Sequence, residues 1–112
     1  MSDCLFCKVA SGAIPAQVVR RDEGMLAFRD INPQAPVHIL VIPTMHTANL
    51  TETLDTTLLG RLLAFARDVA VAEGIAEPGY RVVVNTNALG GQTVFHLHLH
   101  VLGGRALRWP PG

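Results

Sequence analysis

Neither sign of charge is in excess: nine Lys and Arg stand against nine Asp and Glu. Without a basic field the chain is not expected to bind nucleic acid or an anionic membrane surface. A mononucleotide is still admitted, because one phosphate needs only a few local donors. Long apolar runs are missing too, and the N-terminal M-S-D-C-L-F-C-K lacks a basic leader followed by an apolar core. A soluble, unexported, cytoplasmic protein is expected. Cysteine is scarce, with Cys4 and Cys7 the only two. In a reducing compartment their C-x-x-C spacing suggests a metal or redox pair more than a disulfide. The sequence shows no internal repeat, linker or low-complexity segment. Its 112 residues, 49% of them hydrophobic, suit one domain over residues 1–112 that buries roughly 60 to 70% of its unfolded surface.

What the chain does have is histidine in a row. Phe95 to Leu102 reads F-H-L-H-L-H-V-L and holds three of the five histidines at alternate positions. In a strand, His96, His98 and His100 share one face while Phe95, Leu97, Leu99 and Val101 share the other. A helix would turn His98 away from its two neighbours, so the pattern predicts a strand. Glycine pairs, Gly90-Gly91 and Gly103-Gly104, bracket it. A strand puts neighbouring imidazoles about 6.6 Å apart and the outer two roughly 13 Å apart. Such a row cannot converge on one zinc ion, which takes each nitrogen at about 2.0 to 2.1 Å; at most an adjacent pair could. At least one ring then has another occupation, and a neutral imidazole suits nucleophilic or acid–base work.

The remaining elements follow in order. Residues 4 to 11 suit a short helix ending at Gly12. Two short strands, one around Val18-Val19 and one from Met25 to Arg29, flank a polar turn at residues 20–24. The D-I-N-P-Q-A-P stretch is a loop, since its prolines remove donors and bias their predecessors away from helix. Val37 to Ile42 is apolar and β-branched apart from His38, as in a central strand. From an N-cap at Thr53 or Asp55, leucines and alanines recur at helical spacing up to Gly74, predicting an amphipathic helix of about five turns. Tyr80 to Asn85 is a strand, T-N-A-L-G-G-Q-T a polar loop, and the histidine strand comes last. Five strands in hairpin-length connections, with one long helix between the third and fourth, predict an antiparallel α+β domain.

H-L-H-L-H-V-L-G-G-R resembles the signature of the histidine triad nucleotide-binding family. The likeness extends through D-I-N-P-Q-A-P-V-H-I-L-V-I-P, the Asn85 loop, G-G-Q-T and the terminal W-P-P-G, and so covers essentially the whole chain. It is similar to the Hint branch, the purine nucleoside phosphoramidases. The resemblance implies a homodimer whose two five-stranded sheets join into one of ten strands. It also implies hydrolysis of the P–N bond of nucleoside 5′-phosphoramidates. By matched position, His98 would be the nucleophile, His100 would bind the phosphate, and His38 would join a proton relay to the departing amine. Asn85, Gly91 and Thr93 match phosphate-holding positions, with Thr93 standing where serine is common. Asp30 matches the carboxylate that accepts the ribose hydroxyls. Phe6, Val9, Ile14, Phe28, Ile31 and Leu40 match the walls around the purine, and Trp109 would shape the leaving-group pocket near the partner subunit's site.

The C-x-x-C departs from branch members without metal and resembles the zinc-carrying members. In those, Cys4, Cys7, His46 and His96 would form a closed Cys2His2 set holding a structural zinc, with no cofactor needed for catalysis. Hydrolysis of dinucleoside polyphosphates, as in the Fhit branch, fits G-G-R and W-P-P-G less well. Nucleotide transfer to a sugar phosphate fits less again, because that branch typically has glutamine where His100 stands. A nucleotide-binding scaffold with vestigial catalysis is the alternative from outside the enzymes.

Overall fold

A computed structural model describes residues 3–112. In chain order its elements are α1 (Leu5–Ser11), β1 (Val18–Asp22), β2 (Met25–Arg29), β3 (Val37–Pro43), α2 (Thr56–Ala72), β4 (Tyr80–Val83), α3 (Asn87–Gly90) and β5 (Leu99–Gly103). The strands form one antiparallel sheet in the order β1-β2-β3-β5-β4. This is the α+β architecture expected from the sequence.

The period-2 rule sorts the side chains of the inner strands into two cores. Met25, Ala27, Ile39, Val41, Leu99 and Val101 pack with Leu62, Phe65, Ala66 and Val69 of α2. On the other face Leu26, Phe28, Leu40 and Ile42 pack with Phe6 and Val9 of α1. Burial on both faces explains why β2 and β3 read as nearly unbroken apolar runs rather than as alternation. The helix caps fit the chain's local chemistry. Cys4 Sγ accepts the Cys7 N–H at the start of α1, and Gly12 closes the helix in the left-handed region with φ 83°. Asp55, not Thr53, caps α2, accepting the Leu58 N–H at 3.0 Å. At the other end Gly74 has φ 76°, and the N–H of buried Ile75 reaches the Ala70 carbonyl at 3.1 Å, closing a Schellman motif.

Three expectations need correction. The histidine strand begins at Leu99, not Phe95. In the β3–β5 register Val41 faces Leu99, so continuing the ladder would set Leu97 opposite Pro43, which has no N–H to give. The Leu97 N–H turns instead to the Thr47 carbonyl at 2.7 Å. Phe95 consequently lies outside the apolar face and is 52% exposed; Leu97, Leu99 and Val101 do face α2. The strand from Tyr80 ends at Val83 rather than Asn85, its last partner on β5 being His100. Finally, the polar loop contains the single-turn helix α3. It is set by Asn87 at φ 61°, a conformation asparagine tolerates, and by its N–H bonding Gln92 Oε1 at 2.8 Å.

Candidate active site

The sheet face away from α2 carries an open cleft of about 570 Å³. Its floor is built by β3 and β5, where Leu40 pairs with His100 and His38 with Leu102. His38 and His100 are therefore diagonal cross-strand neighbours on one face. Their Nε2 and Nδ1 atoms lie 2.9 Å apart. His98 precedes the ladder, but its ring stands 5.0 Å from that of His100 and 5.0 Å from Phe6 of α1.

Hydrogen bonding assigns the proton on each ring. The Gln34 N–H donates to His38 Nδ1 at 3.0 Å, so a neutral His38 carries its proton on Nε2 and donates it to His100 Nδ1. His100 must then carry its own proton on Nε2. That nitrogen, among the described residues, is the buried side-chain nitrogen or oxygen with no hydrogen-bond partner. A buried donor left unsatisfied is costly, typically about 1–3 kcal/mol, and marks a place meant for an acceptor. His98 Nδ1 donates to the His96 carbonyl at 2.7 Å, which leaves Nε2 of His98 as an unprotonated lone pair.

Electrostatics keep these rings neutral. Burial lowers the pKa of His98, against the bond to the His96 carbonyl and the attraction of Asp30. Burial also lowers His38, again opposed by Asp30. His100 is pushed down to about 4 by burial, with the neighbouring His98 and His38 adding to the effect. A neutral imidazole is the form that can attack an electrophile.

Asp30 stands at the cleft beyond His38. Its Oδ1 accepts the Asn32 N–H at 2.8 Å, and its Oδ2 lies 3.4 Å from His38 Nε2. The apolar wall is made by Phe6, Val9, Ile14, Phe28 and Leu40, and Ile31, 98% exposed, forms the rim. Thr93 also lines the cleft. Two phosphate-loop positions named from the sequence stay outside its lining: Asn85 is half-buried after β4, and Gly91 closes α3 with φ 87°. Trp109 is 82% exposed and does not line this chain's cleft.

A second cluster lies beside the first. His96 bends out of the row and is fully buried, with Nδ1 3.3 Å from Cys4 Sγ, 3.5 Å from Cys7 Sγ and 3.3 Å from His46 Nδ1. Cys7 Sγ is 3.4 Å from His46 Nδ1. An ideal tetrahedron built with zinc's bond lengths has edges of roughly 3.3 Å between nitrogens and 3.5 Å between nitrogen and sulfur. The four separations just given match those edges, and all four donor atoms lie within 4.8 Å of one another. His96 Nε2 donates to the Pro43 carbonyl at 2.8 Å, which frees Nδ1 to ligate. Asp30, His38 and His100 also bring three donor atoms within 4.8 Å of one another. There the 2.9 Å separation of the two rings is that of a hydrogen bond, and the Gln34 amide occupies the lone pair a ligand would need.

Sequence reasoning missed Gln34 and Gln92. The first acts through its backbone amide, which leaves no mark on side-chain identity. The second stood in the G-G-Q-T motif; its buried side chain bonds the Asn87 N–H and the carbonyls of Ala48 and Val94, tying the turn before the histidine row to the loop after β3.

Comparison with known proteins agrees with this geometry. The HIT domain model matches residues 11–107. A HIT family hydrolase from Legionella pneumophila is 54% identical with a TM-score of 0.95, covering 98% of this chain and all of its own. A zinc-bound histidine triad family protein from Mycobacterium smegmatis is 38% identical with a TM-score of 0.82, over 92% of this chain and 76% of its own. A histidine triad nucleotide-binding protein from Candida albicans is 30% identical with a TM-score of 0.84, over 96% and 83%. With His98 and His100 on one cleft, His96 beside it and this fold around them, the chain belongs to the HIT domain family.

Proposed function

We propose that the protein hydrolyses the P–N bond of purine nucleoside 5′-phosphoramidates, passing through a nucleotidyl intermediate on His98 and releasing a nucleoside monophosphate and an amine. One observation carries the reading: a lone pair on His98 and an unsatisfied N–H on His100 meet on the floor of the same cleft. The first is a nucleophile and the second an oxyanion donor, and a phosphorus atom bearing a negative oxygen fits between them. The similarity to a HIT family hydrolase of Legionella and to a histidine triad nucleotide-binding protein of Candida points the same way.

In the first step the His98 Nε2 lone pair forms a bond to the α-phosphorus while the P–N bond to the amine breaks. The ring becomes cationic, and its Nδ1–H bond to the His96 carbonyl stabilises that charge. His100 Nε2–H donates to a phosphoryl oxygen. The anionic phosphate raises the proton affinity of the His38–His100 pair, so the pair takes a proton from solvent and delivers it to the departing amine. Water then attacks the phosphorus, His98 leaves, and the proton that water loses replaces the one consumed. Asp30 accepts the ribose hydroxyls, and Phe6, Val9, Ile14, Phe28, Ile31 and Leu40 enclose the purine. Thr93, on the cleft wall, holds the phosphate from the α3 side, and Asn85 and Gly91, outside the lining, flank the turn that carries it.

Cys4, Cys7, His46 and His96 are the residues that would hold a zinc ion. The ion would be structural: four protein donors leave no position for water, and its place is to tie α1 to the β3–β5 end of the sheet. The zinc-bound Mycobacterium relative supports the assignment. We place the protein as a homodimer joined along β4, one of the two edge strands of the sheet. Leu63, Tyr80 and Val82 line a groove of about 450 Å³ between β4 and α2, and Trp109 reaches the leaving-group side of the partner's site. Among the described residues no helix is long and apolar enough to cross a membrane, and we assign the protein to the cytoplasm. The test is turnover of a fluorogenic adenosine phosphoramidate. Binding of a purine monophosphate without turnover would favour a scaffold.

A further inference from the structure

We infer that Arg105 is a positioning residue that sets the tautomers of His38 and His100 through the backbone of Gln34. The inference rests on the roles proposed for those two histidines and adds the group that fixes them. Val37 pairs with Gly103 at the end of β5, so the chain beyond Gly103 runs back along residues 34–36. Gly104 permits this close pass: it has φ 90°, and a Cβ there would come within 2.9 Å of Pro36. Arg105 follows and grips the loop. Its Nε and Nη2 donate to the Gln34 carbonyl at 3.1 and 3.0 Å, while Nη1 donates to the Ala106 carbonyl at 3.0 Å. A forked cation on one carbonyl is an oriented contact that a point charge cannot reproduce.

Gln34 is therefore held on both sides. Its carbonyl is gripped by Arg105, its side chain donates to the Asn32 carbonyl at 3.0 Å, and its N–H meets His38 Nδ1 at 3.0 Å. That last contact is what selects the tautomer of His38. If Gln34 turns, His38 Nδ1 is free to carry the proton and Nε2 becomes an acceptor. His100 must then donate from Nδ1, and its Nε2 presents a lone pair to the cleft. An anionic oxygen bound there would be repelled instead of bridged. Two rings reverse because one amide lets go.

The experiment uses the full chain with Arg105→Ala and Arg105→Lys, each checked for native near-ultraviolet dichroism. Long-range ¹⁵N NMR of the imidazoles reads the tautomers, and kcat and KM are measured on an adenosine phosphoramidate. In the unmutated protein, His38 and His100 should each show a protonated Nε2. In Arg105→Ala the two nitrogens of each ring should move toward one another, with kcat falling about tenfold, less than the roughly 10²-fold or more that outright loss of a positioned acid–base group costs, and KM changing little. Arg105→Lys should lie between. Unchanged ring signals in Arg105→Ala, or loss of kcat without tautomer change, would overturn the inference. If the tautomers shift as stated but the unmutated protein turns over no phosphoramidate, the positioning role stands and the hydrolase reading fails.

Discussion

His38 Nε2 and His100 Nδ1 lie 2.9 Å apart across the β3–β5 pair, and the Gln34 amide 3.0 Å behind His38 determines which of them donates. The two rings are thus hydrogen-bonded as one unit that ends at the cleft, and under the proposed function that unit carries the proton to the amine. Replacing either by alanine should lower kcat by about 10²- to 10⁴-fold while leaving nucleotide adduct formation detectable. The double variant should lose little more than the worse single one, because a relay is broken by either gap. Steady-state kinetics of the three variants checks this; additive losses would indicate independent roles.

Acid should destabilise the fold through the same unit. The unfolded imidazole titrates near 6.5, whereas folded His100 is held down to about 4, chiefly by burial, and His38 is lowered for the same first reason. Between those values the unfolded chain binds a proton that the folded chain does not, so stability is complete above pH 6.5 and is lost as pH falls through about 4. Urea midpoints measured from pH 7.5 down to 4.5 should fall steadily. His100→Asn should fall less steeply over the same range, and an equal slope would exclude His100 as a source.

Metal should matter to stability more than to chemistry. The Cys4, Cys7, His46 and His96 donors lie at tetrahedral spacing, so purified protein should hold about one zinc per chain. Stripping it should lower the melting temperature by several degrees, with kcat of the protein that stays folded reduced much less. Elemental analysis and calorimetry of Cys7→Ser beside the unmutated protein measure both, and a metal-free protein of unchanged Tm would contradict the assignment.

Asp30 should read the sugar. Its carboxylate faces the cleft, with Oδ2 3.4 Å from His38 Nε2. Asp30→Ala should erase the preference for adenosine over 2′-deoxyadenosine phosphoramidate, a change of about 10-fold in relative kcat/KM, the scale of one hydrogen bond to a charged group. Calorimetric Kd values for AMP and its 2′-deoxy form give an independent reading.

Much of this was legible in the sequence because burial writes itself into periodicity. Leu97, Leu99 and Val101 against three alternate histidines announce a two-faced strand, and Leu58 to Ala70 announces the helix that covers its apolar side. What did not show was set by main-chain partners. Nothing in F-H-L-H says that the Leu97 N–H will turn to Thr47 because Pro43 lies opposite, yet that turn is what carries His96 away to the cysteines. The proton positions on His38 and His100 likewise come from a glutamine amide and an arginine fork. Asn87 at φ 61° and the short α3 depend on Gln92, five residues on, which no local pattern ties to it.

The central claim is that His98 becomes covalently bound to the nucleotide. Rapid acid-free quenching of the enzyme with excess adenosine phosphoramidate, followed by tandem mass spectrometry, tests it most directly. The account predicts an adenylyl group on His98 that forms within one turnover, accumulates in His100→Ala and never forms in His98→Ala. An adduct on another side chain, or undiminished turnover by His98→Ala, would contradict it.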